Sequence, residues 1–490
     1  MPMTIMKEKY LLTANKLIAL IALLLAVSFY SCDKNPADDI IDEGDASEIT
    51  MFLKGNYINF SLAGVGDATI DWGDGKQTET ISLTSESANF PYNYPDNSDY
   101  KVIIRGNIKQ MRSWGYELSI DVSNCTTIER LTVSWGPIEE VIVGKNQSLK
   151  SLGIYNWTQI KSLDISGSAI DTLICRRGEI TNLNVTGCVT LKHLECIYQN
   201  ITTLDLSTNT ALTYLSVVNN NPKFETLNVS ANTALTYLSC SDVLSLNVSN
   251  NTKLTELYVW GHQLTSLDVS KNTALEILHC YLAPLTDLDL SKNTALKELV
   301  CFETQLTNLD ISKNTALKKL ECENNQLINL DVSKNIALEY LKCCDNQLTN
   351  LDVSANTALV ELWCRNNQLT NLDLSKNNAI KELICNKNQL TSLDLSRCND
   401  LRCVIAYNNQ LTKLVLNSKI SLVDIYTNKL SAETLNVLFY GLRNIISTPG
   451  AYDSGTLCIG NNPGTDDCDK SIAENKNWTV FDDDTYWSVY

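Results

Sequence analysis

The 490-residue chain is poor in histidine, in positive charge and in long apolar runs. Only three imidazoles are present, His193, His262 and His279, and none accompanies a Ser or Cys in a recognisable nucleophile motif. General-base and nucleophilic catalysis therefore lack the convergent groups they need. Lys and Arg number 39 against 56 Asp and Glu, a formal charge of −17. Binding to a phosphate backbone needs a basic stripe, so nucleic acid is disfavoured as a partner. After residue 27 no apolar stretch approaches the roughly 20 residues that span a bilayer. A sustained 3.6-residue period is also missing from most of the chain, which argues against long helices.

What the chain has instead is repetition. LKKLECENNQLINLDVSKNIA (317–337), LEYLKCCDNQLTNLDVSANTA (338–358) and LVELWCRNNQLTNLDLSKNNA (359–379) follow one another with apolar and polar positions in register every 21 residues. A unit of this length cannot bury its own apolar face and must stack on its neighbours. Written L-x-x-L-x-C-x-x-N-x-L, the motif places its sixth position at Val133, Ile154, Cys175, Cys196, Val217, Cys240, Val259, Cys280, Cys301, Cys322, Cys343, Cys364, Cys385, Ala406 and Ile425, which is fifteen turns. The spacing leaves 21 only near 217–259 and at the last turn. Residues two apart in a strand point the same way, so Leu320 and Cys322 are expected inside and Lys319, Glu321 and Glu323 outside. Leu330 and Val332 repeat the alternation, with Asp331 and Ser333 outward. One short strand per turn then stacks into a parallel sheet, and Asn325 and its equivalents pair with backbone groups of the next turn where each strand ends.

These residues resemble leucine-rich repeats, and the N-Q-L after each strand (Asn325-Gln326-Leu327, Asn346-Gln347-Leu348) looks like the internalin-type bacterial subgroup. The resemblance covers 115–430, within a solenoid taken as 109–430. Nine of the seventeen Cys occupy the sixth position. Equivalent residues on adjacent strands lie about 4.8 Å apart with side chains parallel, a poor approach for a disulfide and no tetrahedron for zinc. The column reads as a ladder of buried free thiols acting as small hydrophobes. Such a thiol-rich exported chain suggests an environment that does not oxidise it. A second column, Asp268, Asp289, Asp310, Asp331, Asp352, Asp373 and Asp394, is followed three residues on by Lys271, Lys292, Lys313, Lys334, Lys376 and Arg397. Mutual charge neutralisation is expected there, and the Gly-rich nonapeptide of calcium-binding β-rolls is absent. No metal or cofactor is implied.

The flanks carry their own signals. Lys7, Lys9 and Lys16 precede the apolar run LIALIALLLAV (17–27), which is followed by SFYSC ending at Cys32. The junction resembles a bacterial lipobox, although Phe29 stands where Leu is commonest; the resemblance implies a signal peptide at 1–31 and lipidation of Cys32, hence an outer-membrane or cell-surface location. An ordinary cleaved secretory signal with an incidental Cys is the alternative. Removing 1–31 would leave a charge of −19, since that segment holds three Lys and Glu8. The acidic stretch 32–47 reads as a flexible tether. ATIDWGDGKQ (68–77) and YNYPDNSDYKVIIRG (92–106) resemble a PKD-type β-sandwich over 48–108, with Ser98 in place of a Gly. Ser431 should cap a helix with Leu435, Leu438, Phe439 and Leu442 on one face, the first part of a small α/β cap at 431–490. Cys458 and Cys468 fall in that cap, with no pairing assigned.

Function is expected on the outward strand positions, the third, fifth and seventh of each motif. Tyr258, Trp260, His279, Tyr281 and Phe302 gather over successive turns, and Trp363 and Arg365 stand further along. Aromatics on a solvated face mark an interaction surface, the plainer alternative being cross-strand packing. The expectation is a non-catalytic surface protein binding a protein or glycoprotein through its concave sheet; carbohydrate capture is the alternative, and an enzyme a distant one.

Overall fold

A computed structural model describes residues 47–114, 117–156, 158–218, 220, 226–445 and 455–482. Cys32, the signal and nearly all of the tether lie outside the described residues.

The described residues open with five strands, β1 (Glu48–Lys54), β2 (Tyr57–Asp71), β3 (Glu79–Leu83), β4 (Ala88–Asn93) and β5 (Asp99–Ser113). All their mutual pairings are antiparallel: β1 with β5, and β2 with β3, β4 and β5. Alternation in β1 and β5 sends Ile49, Met51, Leu53, Val102 and Ile104 into one core with Phe60 and Ile70 of β2. The Trp72-Gly73-Asp74-Gly75 turn is fixed by aromatic packing. Trp72 stacks on Tyr92 with centroids 4.3 Å apart, and the Tyr94 hydroxyl donates to the Trp72 carbonyl at 2.9 Å.

Strand β5 runs through the 108/109 boundary expected from the sequence. Its last residues, Gln110–Ser113, pair in parallel with β6 (Arg130–Ser134), and β6 with β7 (Ser151–Tyr155). From there one parallel sheet continues turn by turn, for example Lys319–Glu321 on Tyr340–Lys342 on Glu361–Trp363. It does not stop at residue 430. Gly455–Cys458 pairs in parallel with Leu422–Asp424, and Trp478–Phe481 with Gly455–Cys458. The result is a β-solenoid of about seventeen turns with very little helix, longer than the fifteen expected. The motif count missed the first end strand because its sixth position, Ile459, follows Ile425 by more than the 21-residue step, although Leu457, Ile459 and the ladder residue Asn462, which donates to the Ile425 carbonyl at 3.0 Å, keep the pattern.

Inside, the register is as the alternation predicts: Leu320, Cys322, Leu341 and Cys343 have no exposed surface. Sixth-position N–H groups donate to the following turn, as from Cys301 to Glu321 at 2.8 Å. Every Cys among the described residues is unpaired, Cys458 and Cys468 included. Burial raises the ladder thiols, those of Cys240, Cys280 and Cys385 to about 12, which suppresses the thiolate needed for oxidation.

Two Asn columns hold the turns together. Asn325 Nδ2 donates to the Cys301 and Cys322 carbonyls at 2.8 and 3.2 Å, while its Oδ1 accepts the Leu306 N–H at 3.0 Å. The partner turn is therefore the preceding one. The second column, Asn272, Asn293, Asn314, Asn335, Asn356 and Asn377 of the S-K-N or S-A-N segment, was not anticipated. Each is wholly buried, and Asn335 donates to the Ile311 and Asn314 carbonyls at 3.1 and 2.8 Å. The Asp column corrects an expectation too. Each carboxylate caps its own turn, as when Asp331 accepts the Ser333 N–H at 2.9 Å. Hydrogen bonds from Ser333 hold that carboxyl below its usual range, with Lys334 a lesser influence.

Helix α1 (Ala432–Gly441) begins where Ser431 Oγ accepts the Thr434 N–H at 3.2 Å. Leu435, Leu438 and Phe439 are buried as expected; the helix ends at Gly441 and Leu442 is already extended. Lys476, after the short helix α2 (Ser471–Glu474), donates to the carbonyls of Tyr440 and Leu442, placing a cation where a helix terminus carries partial negative charge.

Candidate functional site

The third, fifth and seventh motif positions form three columns along the outer face of the strand sheet. Parallel in-register pairing makes each column continuous, because residues aligned across strands point the same way. Tyr258 aligns with His279 in the fifth column. Trp260, Tyr281 and Phe302 occupy the seventh.

The expected cluster is brought together, and its rings pack on one another. Trp260 and Tyr281 are parallel with centroids 5.7 Å apart, and Tyr281 and Phe302 follow at 4.7 Å. A second run starts earlier: His193, Tyr214 and Tyr237 stack at 4.1 Å steps, Tyr258 follows at 5.3 Å, and His279 meets its edge at 4.7 Å. These side chains are half-buried. Trp363 and Arg365 are not part of this cluster. They lie three strands beyond Val300 and Phe302, where Lys342 sits 4.2 Å over the Trp363 ring and Arg365 pairs with Asp345 at 2.9 Å.

Ion pairs tie the columns across strands. His279 and Lys319 each approach a Glu298 oxygen at 2.9 Å, and His279 first, then Lys319, hold that carboxyl down to about 2 against burial. Lys342 pairs with Glu321 at 2.9 Å. Glu323 is pushed up to about 7 by burial and then by Glu321. Near the far end, Asp424 is fully buried with Oδ2 lacking a hydrogen-bond partner, and burial raises it to about 6.

The sequence reading missed the network at Glu195. This buried carboxylate accepts from Arg176 Nε at 2.7 Å and lies 2.9 Å from His193 Nε2. Burial opposes its ionisation, but His193 and Arg176 outweigh that and keep it below its usual range. The signal was available, since positions three, five and seven of adjacent turns are cross-strand neighbours. His193 and His279 are each engaged by a carboxylate, and His262 is exposed. No group of three or more His, Cys, Asp and Glu is arranged to hold a metal among the described residues.

Repeat, stacked parallel strands and Asn ladders together define a leucine-rich-repeat solenoid. No family model matches the chain, and no curated protein does. Solved structures do. The functional domain of InlJ from Listeria monocytogenes, described as including a cysteine ladder, is 31% identical at a TM-score of 0.49, covering 56% of this chain and 69% of that one. YopM from Yersinia enterocolitica is 22% identical at a TM-score of 0.50, covering 69% and 75%. An internalin, InlF, of Listeria monocytogenes is 21% identical at 0.46, covering 52% and 83%. The structural neighbours are thus internalin-like leucine-rich-repeat proteins with repeats of about 21 residues.

Proposed function

We propose that this chain is a non-catalytic, lipid-anchored surface protein that binds a protein or glycoprotein through the columned face of its sheet. The observation that carries the reading is the Trp260–Tyr281–Phe302 column beside Tyr258 and His279. Five rings over three turns present one continuous, half-buried aromatic patch with charged groups at its border. Trp, Tyr and Arg dominate binding energy at protein interfaces, and rings held by their neighbours lose little entropy when a partner arrives. An open face without enclosure suits a macromolecule better than a small ligand. In this reading the N-terminal β unit, which resembles a PKD domain, is a spacer and covers the first edge of the array. Cys32 carries the lipid.

Two experiments test it. Cys32→Ser should release the chain from the membrane fraction; retention after a salt wash contradicts the anchor. A glycan array distinguishes the carbohydrate alternative, which strong oligosaccharide binding would favour over a protein partner.

A further inference from the structure

The first turns of the columned face differ in charge from the rest of the molecule. From Gln110 to Arg176 no Asp or Glu occupies a third, fifth or seventh position, although the chain as a whole carries −17. Arg112 and Arg130 stand in these columns on paired strands, and Arg177 stands at the adjoining rim. All three are exposed, and none has an acidic partner among the described residues. Arg176 is spent on Glu195, and Glu129 beside Arg130 pairs with Lys109.

Aromatics lie among these cations. Arg112 sits 5.8 Å from the Trp114 ring. Tyr155 lies over Gly153, where a Cβ would come within 2.5 Å of the ring, so that Gly lets the tyrosine rest on the sheet. Trp135 is 56% exposed with φ at 54°, the left-handed position that other turns fill with residues of every kind, from Tyr198 and Leu282 to Asn324 and Lys387. At the other end of the same face Glu298, Glu321, Glu323, Glu361, Glu382 and Asp424 outnumber Lys319, Lys342 and Arg365. The face is polarised along its length.

We infer that the first turns, around Arg112, Arg130 and Arg177, bind an acidic polypeptide segment of the partner, with Trp114, Trp135 and Tyr155 taking its apolar side chains. The inference rests on the protein-partner reading above and adds the partner's chemistry and direction: its acidic portion lies over the amino-terminal turns. Unpaired guanidinium groups match carboxylates in fork geometry, and interleaved rings match a chain that alternates acidic and apolar residues.

The probe is a labelled poly-L-glutamate peptide titrated against the full chain at low and physiological salt. Binding should weaken roughly tenfold in Arg112→Ala/Arg130→Ala, recover in part in Arg112→Lys/Arg130→Lys, and be unchanged in Lys319→Ala/Lys342→Ala. Salt sensitivity should fall with the first pair. No binding by the native chain, or an equal loss in the Lys319/Lys342 variant, overturns the inference. Tighter arginine-dependent binding of a polyuronate also overturns it, in favour of an acidic glycan. A partner lost on Trp260→Ser/Tyr281→Ser but kept by the arginine pair leaves the columned-face reading standing and sinks this one. A partner kept by both sinks the reading itself.

Discussion

The two sides of each strand in this solenoid are governed by different rules. Inward, Leu320 and Cys322 meet the same neighbours in every turn, so residue type hardly changes over the regular part of the array. Outward, the paired residues Glu298, Lys319, Tyr340 and Glu361 change charge and size at each step while the backbone register stays constant. Close packing fixes the first set, since a turn of constant height admits one volume. The second set answers only to its cross-strand neighbours and to whatever docks on it. Variation confined to one side of a constant frame is how a repeat array acquires specificity without losing its fold.

The sharpest way to break this contrast is to move outward chemistry inward. Cys322→Asp places an unpaired charge between packed turns and should cost more than about 4 kcal/mol, read as chemical unfolding or failure to fold. Asn335→Ala comes next. It removes the side-chain donor to the Ile311 and Asn314 carbonyls, which keep the Asn314 and Leu317 N–H groups, and a loss of about 2–3 kcal/mol is expected by denaturant titration, from two lost hydrogen bonds and the cavity left between turns.

Asp424 sharpens the comparison from the other side, as an outward residue that has become buried. Its carboxyl titrates near 6 when folded against 3.8 otherwise. Between those values the folded chain binds more protons, so stability falls as pH rises through that window and the deficit is complete above it. Asp424→Asn should therefore be more stable than the native chain at pH 8, by on the order of 2 kcal/mol, and nearly equal to it at pH 4. Melting curves at the two pH values check the sign. Smaller effects follow where neither rule is broken. Cys322→Val keeps volume and apolarity and should cost less than about 1.5 kcal/mol. Lys334→Ala, on the exposed neighbour of Asn335, should change stability by under about 0.5 kcal/mol in the same titration.

Legibility followed the same division. The array, its inward register, the free thiols and the Ser431 cap were readable because each depends on local spacing repeated many times. The second Asn column was equally regular, yet its role depends on carbonyls two segments back in the preceding turn, such as Ile311 for Asn335, which spacing alone does not place. The end strand Gly455–Cys458 escaped notice because the inserted helix breaks the 21-residue spacing before it, although Leu457, Ile459 and Asn462 keep the motif; Trp478–Phe481 lacks the Leu and Asn of the motif. On the face, the sequence brought Trp260, Tyr281 and Phe302 together and offered cross-strand packing as the plainer alternative; the rings do stack across strands. Trp363 and Arg365, expected further along, lie three strands away.

The central claim is that a partner docks on the columned face. The most direct test is capture of one defined binding partner by the native chain, by Trp260→Ser/Tyr281→Ser and by a control altered on the opposite surface, Lys271→Ala/Lys292→Ala, with folding matched by melting curves. The account predicts affinity lowered by more than about 2 kcal/mol, some thirtyfold, in the aromatic variant, a stability cost of only about 1 kcal/mol from lost ring stacking, and no change in the control. Unchanged affinity in the aromatic variant, or a loss confined to the lysine control, would contradict it.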